Sequence, residues 1–269
     1  MKPTHAFRSK LPVLLIAVFV MLFTSSITAH AIVPVLVPIP PLNAVKPPAK
    51  TVTPPANTVK TLMDAAYDGN SAIVKTLLDE GVDVNITNKN GMTALLMASW
   101  SGNEGIVKIL LNKGADVNHH SVAGWTPLYY ASQNGHEGLV RMFLDKGAKL
   151  DFQASNGGSA LHIASQKGHV GIVQALLAKG ANVDLQAKGG WTPLYMASIK
   201  GHVKVVKTLL KNHANTDIKS INGTTALIAA TKSGHTQVVK MLRTIKAEVD
   251  QKHKDRRTAN NKLFAQLPK

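Results

Sequence analysis

A phrase that recurs every 33 residues is the feature that most restricts how this chain can fold. The copies read GMTALLMAS, GWTPLYYAS, GGSALHIAS, GWTPLYMAS and GTTALIAAT. They begin at Gly91, Gly124, Gly157, Gly190 and Gly223. A weaker unit over residues 58–90 precedes them in the same register, with Leu62, Ala65 and Gly69 in step. No unit of this length can bury its own apolar face, so the six units must stack on one another.

Each unit carries the signals of two short helices. A Thr or Ser hydroxyl can cap the first helix, Pro127 and Pro193 stand at its first position, and its Leu and Ala lie on one face. A second glycine, eleven residues after the first, predicts the end of that helix in a left-handed conformation. A second helix is expected to begin near Ile106 and its equivalents. The turns after the second helices are expected to close on Asn85, Asn118, Asp151, Asp184, Asp217 and Asp250.

Three motifs in tandem resemble the ankyrin repeat family over about residues 58–255: G-x-T-P-L-x-x-A, G-H-x-x-x-V and L-L-x-x-G-A-x-V-N/D. The resemblance implies an all-α solenoid of helix-turn-helix units with projecting β-turn fingers. The predicted repeats are 58–90, 91–123, 124–156, 157–189, 190–222 and 223–255. The chain departs from the family pattern in two ways. Only His162 keeps the histidine after T-P-L, and His213 and Lys246 replace the glycine after the second helix.

The segments outside the repeats have their own signals. Residues 1–31 combine a basic start, an apolar run over 11–23 and the small-x-small site Ala29-His30-Ala31, which predicts a signal peptide cleaved after Ala31. The alternative is an uncleaved N-terminal membrane anchor, although the prolines over 32–57 disfavour a longer spanning helix. Residues 32–57 are a proline-rich linker, either a spacer or a leader without a role. Residues 256–269 are a basic C-terminal tail that either adds a short capping helix through Leu263, Phe264 and Leu267 or is disordered.

Composition limits the classes of function. The chain has no cysteine, which excludes thiol catalysis and Cys-ligated metal sites. Its formal net charge is +16, and the first 31 residues supply three of those charges, so the mature chain would carry +13. For an exported protein, this charge favours an acidic protein or an anionic envelope surface as partner and makes nucleic acid unlikely. No hydrolase, zinc-protease or phosphate-loop motif occurs, so we predict no enzymatic activity and no cofactor.

The candidate partner-binding residues lie on the fingers and the inner side of the first helices, where the family resemblance places ligand contacts. Exposed Trp is a typical binding hot spot, so Trp100, Trp125 and Trp191 are central. The alternative for these three is packing between adjacent fingers. The other candidates are Lys89, Met92, Val122, Gln133, Asn134, Gln166, Lys167, Lys188, Ile199, Lys200, Ile221 and Lys232. Basic and apolar residues mix in this set, which suggests an acidic, partly apolar partner.

Two other columns recur at the repeat period. His136, His169, His202 and His235 follow the second glycine, and we expect them to bond turns rather than to hold a metal. Lys75, Lys108, Arg141, Lys207 and Lys240 form a basic ladder, interrupted by Gln174. It is either a solvated outer ridge or a surface that attracts anionic lipid or polysaccharide.

The sequence therefore predicts an exported ankyrin-repeat scaffold, periplasmic or secreted and of bacterial type. It would bind a protein through its concave face and fingers. The alternatives are a secreted bacterial effector that engages a host protein, and an envelope-associated structural protein held by basic charge.

Overall fold

The computed structural model describes residues 56–265, which form twelve helices, two in each repeat, and no strand within that range. The first helices are α1 Ala56–Asp68, α3 Ala94–Ser101, α5 Pro127–Asn134, α7 Ala160–Lys167, α9 Pro193–Ile199 and α11 Ala226–Lys232. The second helices are α2 Ser71–Asp79, α4 Glu104–Asn112, α6 Glu137–Asp145, α8 Val170–Ala178, α10 Val203–Lys211 and α12 Thr236–Ala265. The predicted signal peptide and nearly all of the predicted linker lie outside this range. The predicted all-α fold is confirmed.

The first helices start where the sequence places their caps. The hydroxyl of Thr126 accepts a hydrogen bond from the amide of Tyr129 at 3.1 Å, and Pro127 occupies the first turn. At Ser159 the cap is reciprocal, because Nδ1 of His162 accepts from the Ser159 amide at 3.2 Å. These side chains accept hydrogen bonds from amide groups that a helix N-terminus otherwise leaves without partners. The cap positions therefore fix where each first helix begins.

The core is a continuous apolar column inside the stack. The Leu and Ala of each phrase pack against their equivalents in the next repeat, and Leu95, Leu128, Leu161 and Leu194 are all buried. Leu227, their equivalent in the last repeat, is only partly buried because no further repeat covers it. Burial of such a side chain contributes roughly 1.5–3 kcal/mol. First helices pack closely on one another, whereas second helices make fewer mutual contacts.

Histidines connect each repeat to the one before it. Nε2 of His136, His169, His202 and His235 donates to the carbonyl oxygens of Trp100, Gln133, Gln166 and Ile199, at 2.8–3.1 Å. Asn103 occupies the equivalent position in the second repeat and connects it to the first, because its Nδ2 donates to the carbonyls of Ala66 and Tyr67 at 3.1 and 2.6 Å. The carbonyls at the end of each first helix would otherwise lack partners. The expected hydrogen-bonding role of these histidines is confirmed, but their acceptors are the last carbonyls of the preceding first helices rather than turns.

The last two repeats end differently from the first four. His213 takes the left-handed conformation of the glycines it replaces, with φ of 62°. At Lys246 the chain makes no turn at all, and α12 continues as one helix of 30 residues to Ala265. The predicted turn at Asp250 is therefore wrong, because nothing between Gly234 and Pro268 carries a glycine or proline stop signal. The predicted boundary at 256 falls inside this helix, and Leu267 lies outside the described residues.

Among the described helices, none is both long and apolar enough to cross a membrane.

Candidate functional site

The fingers between repeats are closed turns that support one another. The amide of Ser121 donates to the carbonyl of Trp125 at 3.1 Å, which closes the finger of that repeat. Neighbouring fingers are joined by backbone bonds, from the Val122 amide to the Asn90 carbonyl and from the Ile221 amide to the Gly189 carbonyl, both 2.9 Å. The tips stand free, since Val122 and Ile221 are 76% and 81% exposed. Two exposed apolar tips, Val122 and Ile221, are thus held on an ordered backbone, with the polar tips Ser155 and Lys188 between them.

Five aromatic side chains gather beside the first three fingers, and we call Tyr67, Trp100, Trp125, Tyr129 and Tyr130 the aromatic patch. Trp100 stacks on Tyr130 with ring centroids 5.4 Å apart and planes 5° from parallel, and it meets Tyr67 edge-on at 6.4 Å. Trp125 contacts Tyr130 edge-on at 5.7 Å and lies nearly parallel to Tyr129 at 6.2 Å. Such pairs hold rings in fixed orientations. The patch is a preformed aromatic surface.

The patch has a buried base and an exposed top. Tyr130 and Tyr129 are buried, whereas Tyr67, Trp100 and Trp125 remain exposed, Trp100 to 44%. The Tyr130 hydroxyl contacts Sδ of Met92 at 3.8 Å, inside a small core with Val59 and Met63. Burial raises the pKa of Tyr130 to about 12 and also raises that of Tyr129. The two phenols are therefore neutral at physiological pH, and the patch itself carries no charge.

Trp191 lies apart from the patch. Its nearest aromatic partner is Tyr195, at 6.4 Å, and its ring lies over Gly189 of its own finger. The carbonyl of Trp191 accepts from Nε2 of the buried His162 at 3.0 Å, and burial lowers the pKa of that histidine. Two of the three tryptophans expected to act together are thus brought together, and the third occupies a separate surface.

Met92 is not a surface residue, so its prediction as a contact is wrong. It is 8% exposed and packs between Val59, Met63, Leu96 and Tyr130, because α1 starts earlier in its repeat than the other first helices do and places Val59 against it. The remaining candidates are exposed or half-buried. They are Lys89, Trp100, Val122, Trp125, Gln133, Asn134, Gln166, Lys167, Lys188, Trp191, Ile199, Lys200, Ile221 and Lys232. Asn134 also has a structural bond, since its Nδ2 donates to the Trp100 carbonyl at 2.8 Å.

The tyrosines of the patch were not among the predicted contact residues, although one signal was available. Tyr67 stands 33 residues before Trp100, and so occupies the same repeat position on the inner face. Applying the period to Trp100 would have found it. Tyr130 carried no such signal, because it lies one helical turn before that position, and only the packing of α5 on α3 places it under Trp100.

Histidine and carboxylate side chains are the groups of the described repeats that could bind a metal ion. Within residues 56–265 no three His, Asp or Glu side chains converge on a point that could hold a metal ion. Asp151 and Asp184 accept backbone amides of the next repeat, from Asn182 and Asn215 at 3.0 and 2.9 Å. These carboxylates are committed to the turns between repeats.

The comparisons with known proteins agree with this architecture. A family model described as "Ankyrin repeats (3 copies)" matches residues 62–154, 137–221 and 161–255. No curated protein sequence matches the chain at a significant level. The matched segments together cover residues 62–255, most of the chain, and coincide with the stacked helix pairs and their fingers. The chain belongs to the ankyrin repeat family.

Proposed function

We propose that the protein is a non-enzymatic scaffold that binds an acidic, partly apolar protein through its fingers and aromatic patch. Ankyrin repeats generally mediate protein–protein interaction, and proteins built from them are typically non-enzymatic. The observation that carries the proposal is the exposed top of the aromatic patch, whose Trp125 shares a finger with the exposed apolar tip Val122.

The aromatic patch has the properties of a binding hot spot. Trp100 and Trp125 present large rigid rings that lose little conformational entropy on binding, and each retains an indole N–H donor. Their orientation is fixed by Tyr130 beneath them. A partner therefore meets a surface that needs little reorganisation, which favours affinity.

Lysines on the fingers and first helices indicate that the partner carries negative charge. Lys89 and Lys188 are exposed on fingers, and Lys167, Lys200 and Lys232 are exposed at the ends of first helices. Only Lys89 belongs to the repeats that carry the neutral aromatic patch, and the other four lysines lie on later repeats. A partner with an apolar contact for the patch and acidic groups that reach toward the later repeats would complement this arrangement.

The compartment is the second part of the proposal. The signal-peptide pattern over 1–31 supports export to the periplasm or the medium, with an N-terminal anchor as the alternative. A released effector acting on a host protein would use the same surface. Cell fractionation together with sequencing of the mature N-terminus separates these cases, because a mature chain that starts at Met1 would contradict export.

Cross-linking in the native compartment, followed by affinity measurement with the partner identified, tests the inner face. The variants use residues that the chain itself carries at equivalent repeat positions. Trp100→Gln matches Gln133 and Gln166, and Trp125→Thr matches Thr224. We expect each to weaken the complex about 30-fold, the effect of losing a hot-spot residue.

Trp191→Thr is the matched control, since it removes an exposed Trp outside the aromatic patch. We expect a smaller effect from it. Unchanged affinity in folded Trp100→Gln and Trp125→Thr variants would contradict the proposal. If no protein is cross-linked and moderate salt releases the chain from envelopes, an envelope-associated structural role would replace it.

A further inference from the structure

The positive charge of the repeat stack is confined to its last two repeats. Residues 56–189 contain eleven Lys and Arg and eleven Asp and Glu, so the first four repeats are neutral. Residues 190–265 contain fourteen basic and four acidic residues, a net charge of +10. One end of the stack therefore carries the whole electrostatic excess of the described chain.

Much of this excess lies on the second helices, on what we call the basic outer face. It consists of Lys204, Lys207 and Lys211 on α10 and Lys240, Arg243 and Lys246 on α12, all of them exposed. Lys246 lies 3.5 Å from Asp217, and the other five form no ion pair with any described residue. Helix α10 contains no acidic residue.

On the same surface of earlier repeats, some of the lysines are paired with acidic side chains. Lys113 pairs with Asp79 at 2.7 Å, and Lys179 pairs with Asp145 at 3.1 Å. At the repeat position of those two aspartates, α10 carries Lys211. The difference between the two ends of the stack is thus a replacement of acid by base at equivalent sites, in addition to the loss of acids elsewhere.

A shallow, mainly apolar depression lies along α12, next to Val203 at the start of α10. It has a volume of about 370 Å³ and is lined by Val203, Gln237, Lys240, Met241, Thr244 and Ile245. Lys240 stands at its edge, where a long side chain can cover apolar surface while its ammonium group stays in solvent. Charge and apolar contact are therefore available on one side of the same helices.

We propose that the basic outer face docks the protein onto an anionic lipid bilayer. Five of its six basic residues are lysines, and a lysine interacts as a point charge with a diffuse field rather than as a bidentate reader of one carboxylate or phosphate. Helix α12 extends the basic row over about 45 Å, at ~1.5 Å per residue. The basic outer face lies on second helices, whereas the fingers and the aromatic patch lie on turns and first helices. The bilayer and a protein partner would therefore occupy different surfaces, and neither proposal depends on the other.

The test measures binding of the full chain to sedimented vesicles of phosphatidylcholine with and without 30% phosphatidylglycerol. The variant is Lys207→Gln with Lys240→Gln, and the matched control is Lys75→Gln with Lys108→Gln. All four lysines share one repeat position, and Gln174 shows that the fold accepts glutamine there. Both double variants lose the same net charge and keep residues 1–55.

We expect the Lys207/Lys240 variant to lower binding to the anionic vesicles about 25-fold, since each lysine near such a surface contributes about five-fold. The control should bind as the natural chain does, and raising the salt concentration should remove the difference between the two. Equal losses in both variants would show that net charge alone acts, and no loss in either would show that the face is not used. Both results overturn the proposal, as would binding to soluble polyglutamate without binding to the vesicles.

Discussion

Three buried hydroxyl groups give the sharpest test of the packing inside the stack. Ser132, Ser165 and Ser198 occupy one repeat position on successive first helices, are fully buried, and have no hydrogen-bond partner for Oγ. Ser99, at the same position one repeat earlier, is equally buried, but its Oγ donates to the Leu95 carbonyl at 2.6 Å. The chain therefore contains its own matched comparison.

An unsatisfied buried hydroxyl costs about 1–3 kcal/mol in desolvation. Ser132→Ala, Ser165→Ala and Ser198→Ala should each raise the free energy of unfolding by about 1 kcal/mol or more, with a small added gain in helix propensity. In Ser99→Ala the same gain in propensity is offset by the loss of a hydrogen bond worth ~1 kcal/mol, so its stability should change little or fall. The triple variant should gain about 3 kcal/mol, which for ~200 residues corresponds to roughly 6–12 °C in Tm.

Urea unfolding followed by far-UV circular dichroism measures these differences, with a constant m-value as the check that the unfolded state is unchanged. The comparison of Ser132→Ala with Ser99→Ala is the decisive one, because the change in side chain is identical. If the two shift the midpoint equally, the Ser132 hydroxyl has a partner in solution and the reasoning from orphaned hydroxyls is refuted.

Two further predictions concern the histidines. Burial lowers the pKa of His162, so below about pH 6.5 the unfolded chain binds a proton that the folded chain does not, and the free energy of unfolding falls. His162→Leu should lessen that fall, measured as the difference between urea midpoints at pH 7.5 and 5.5. An unchanged difference would contradict the prediction. Gly102→Ala should destabilise the fold more than Gly114→Ala, by about 1 kcal/mol or more. Both glycines have φ above 80°, so the backbone strain is similar in the two variants. A Cβ at Gly102 would meet the His136 ring at 2.5 Å, whereas a Cβ at Gly114 would have nothing within 4 Å. Equal Tm losses in the two variants would show that the ring moves aside freely.

The repeat period was enough to predict most of the fold. The Leu95 column had to be buried and the Thr126 hydroxyl had to cap, because these are local consequences of a 33-residue unit that stacks on copies of itself. The continuation of α12 was missed because the family pattern assigned a turn at Lys246, although the residues there carry no stop signal. The conformation at one repeat position predicts the conformation at its equivalents only where the residue there can adopt it.

The candidate site was harder to predict than the fold. The family resemblance predicted surface positions for Trp100 and Trp125, which are exposed, but the period could not show that Met92 and Tyr130 would be covered. Those two are buried by contacts between neighbouring repeats with different side chains, which no single unit contains. The contrast between the neutral and basic ends was present in the sequence from the start and becomes informative once α10 and α12 are known to be neighbours.

The histidine contacts have a direction, and it matters while the chain is being made. In each, the carbonyl belongs to the earlier repeat and the donor to the later one, as with Trp100 and His136. A ribosome releases the acceptor first, so the newest complete repeat always waits, with its final carbonyl hydrated, for the next imidazole to emerge. Growth of the nascent stack is therefore a series of similar closures, the first made by Asn103 and the next four by histidines.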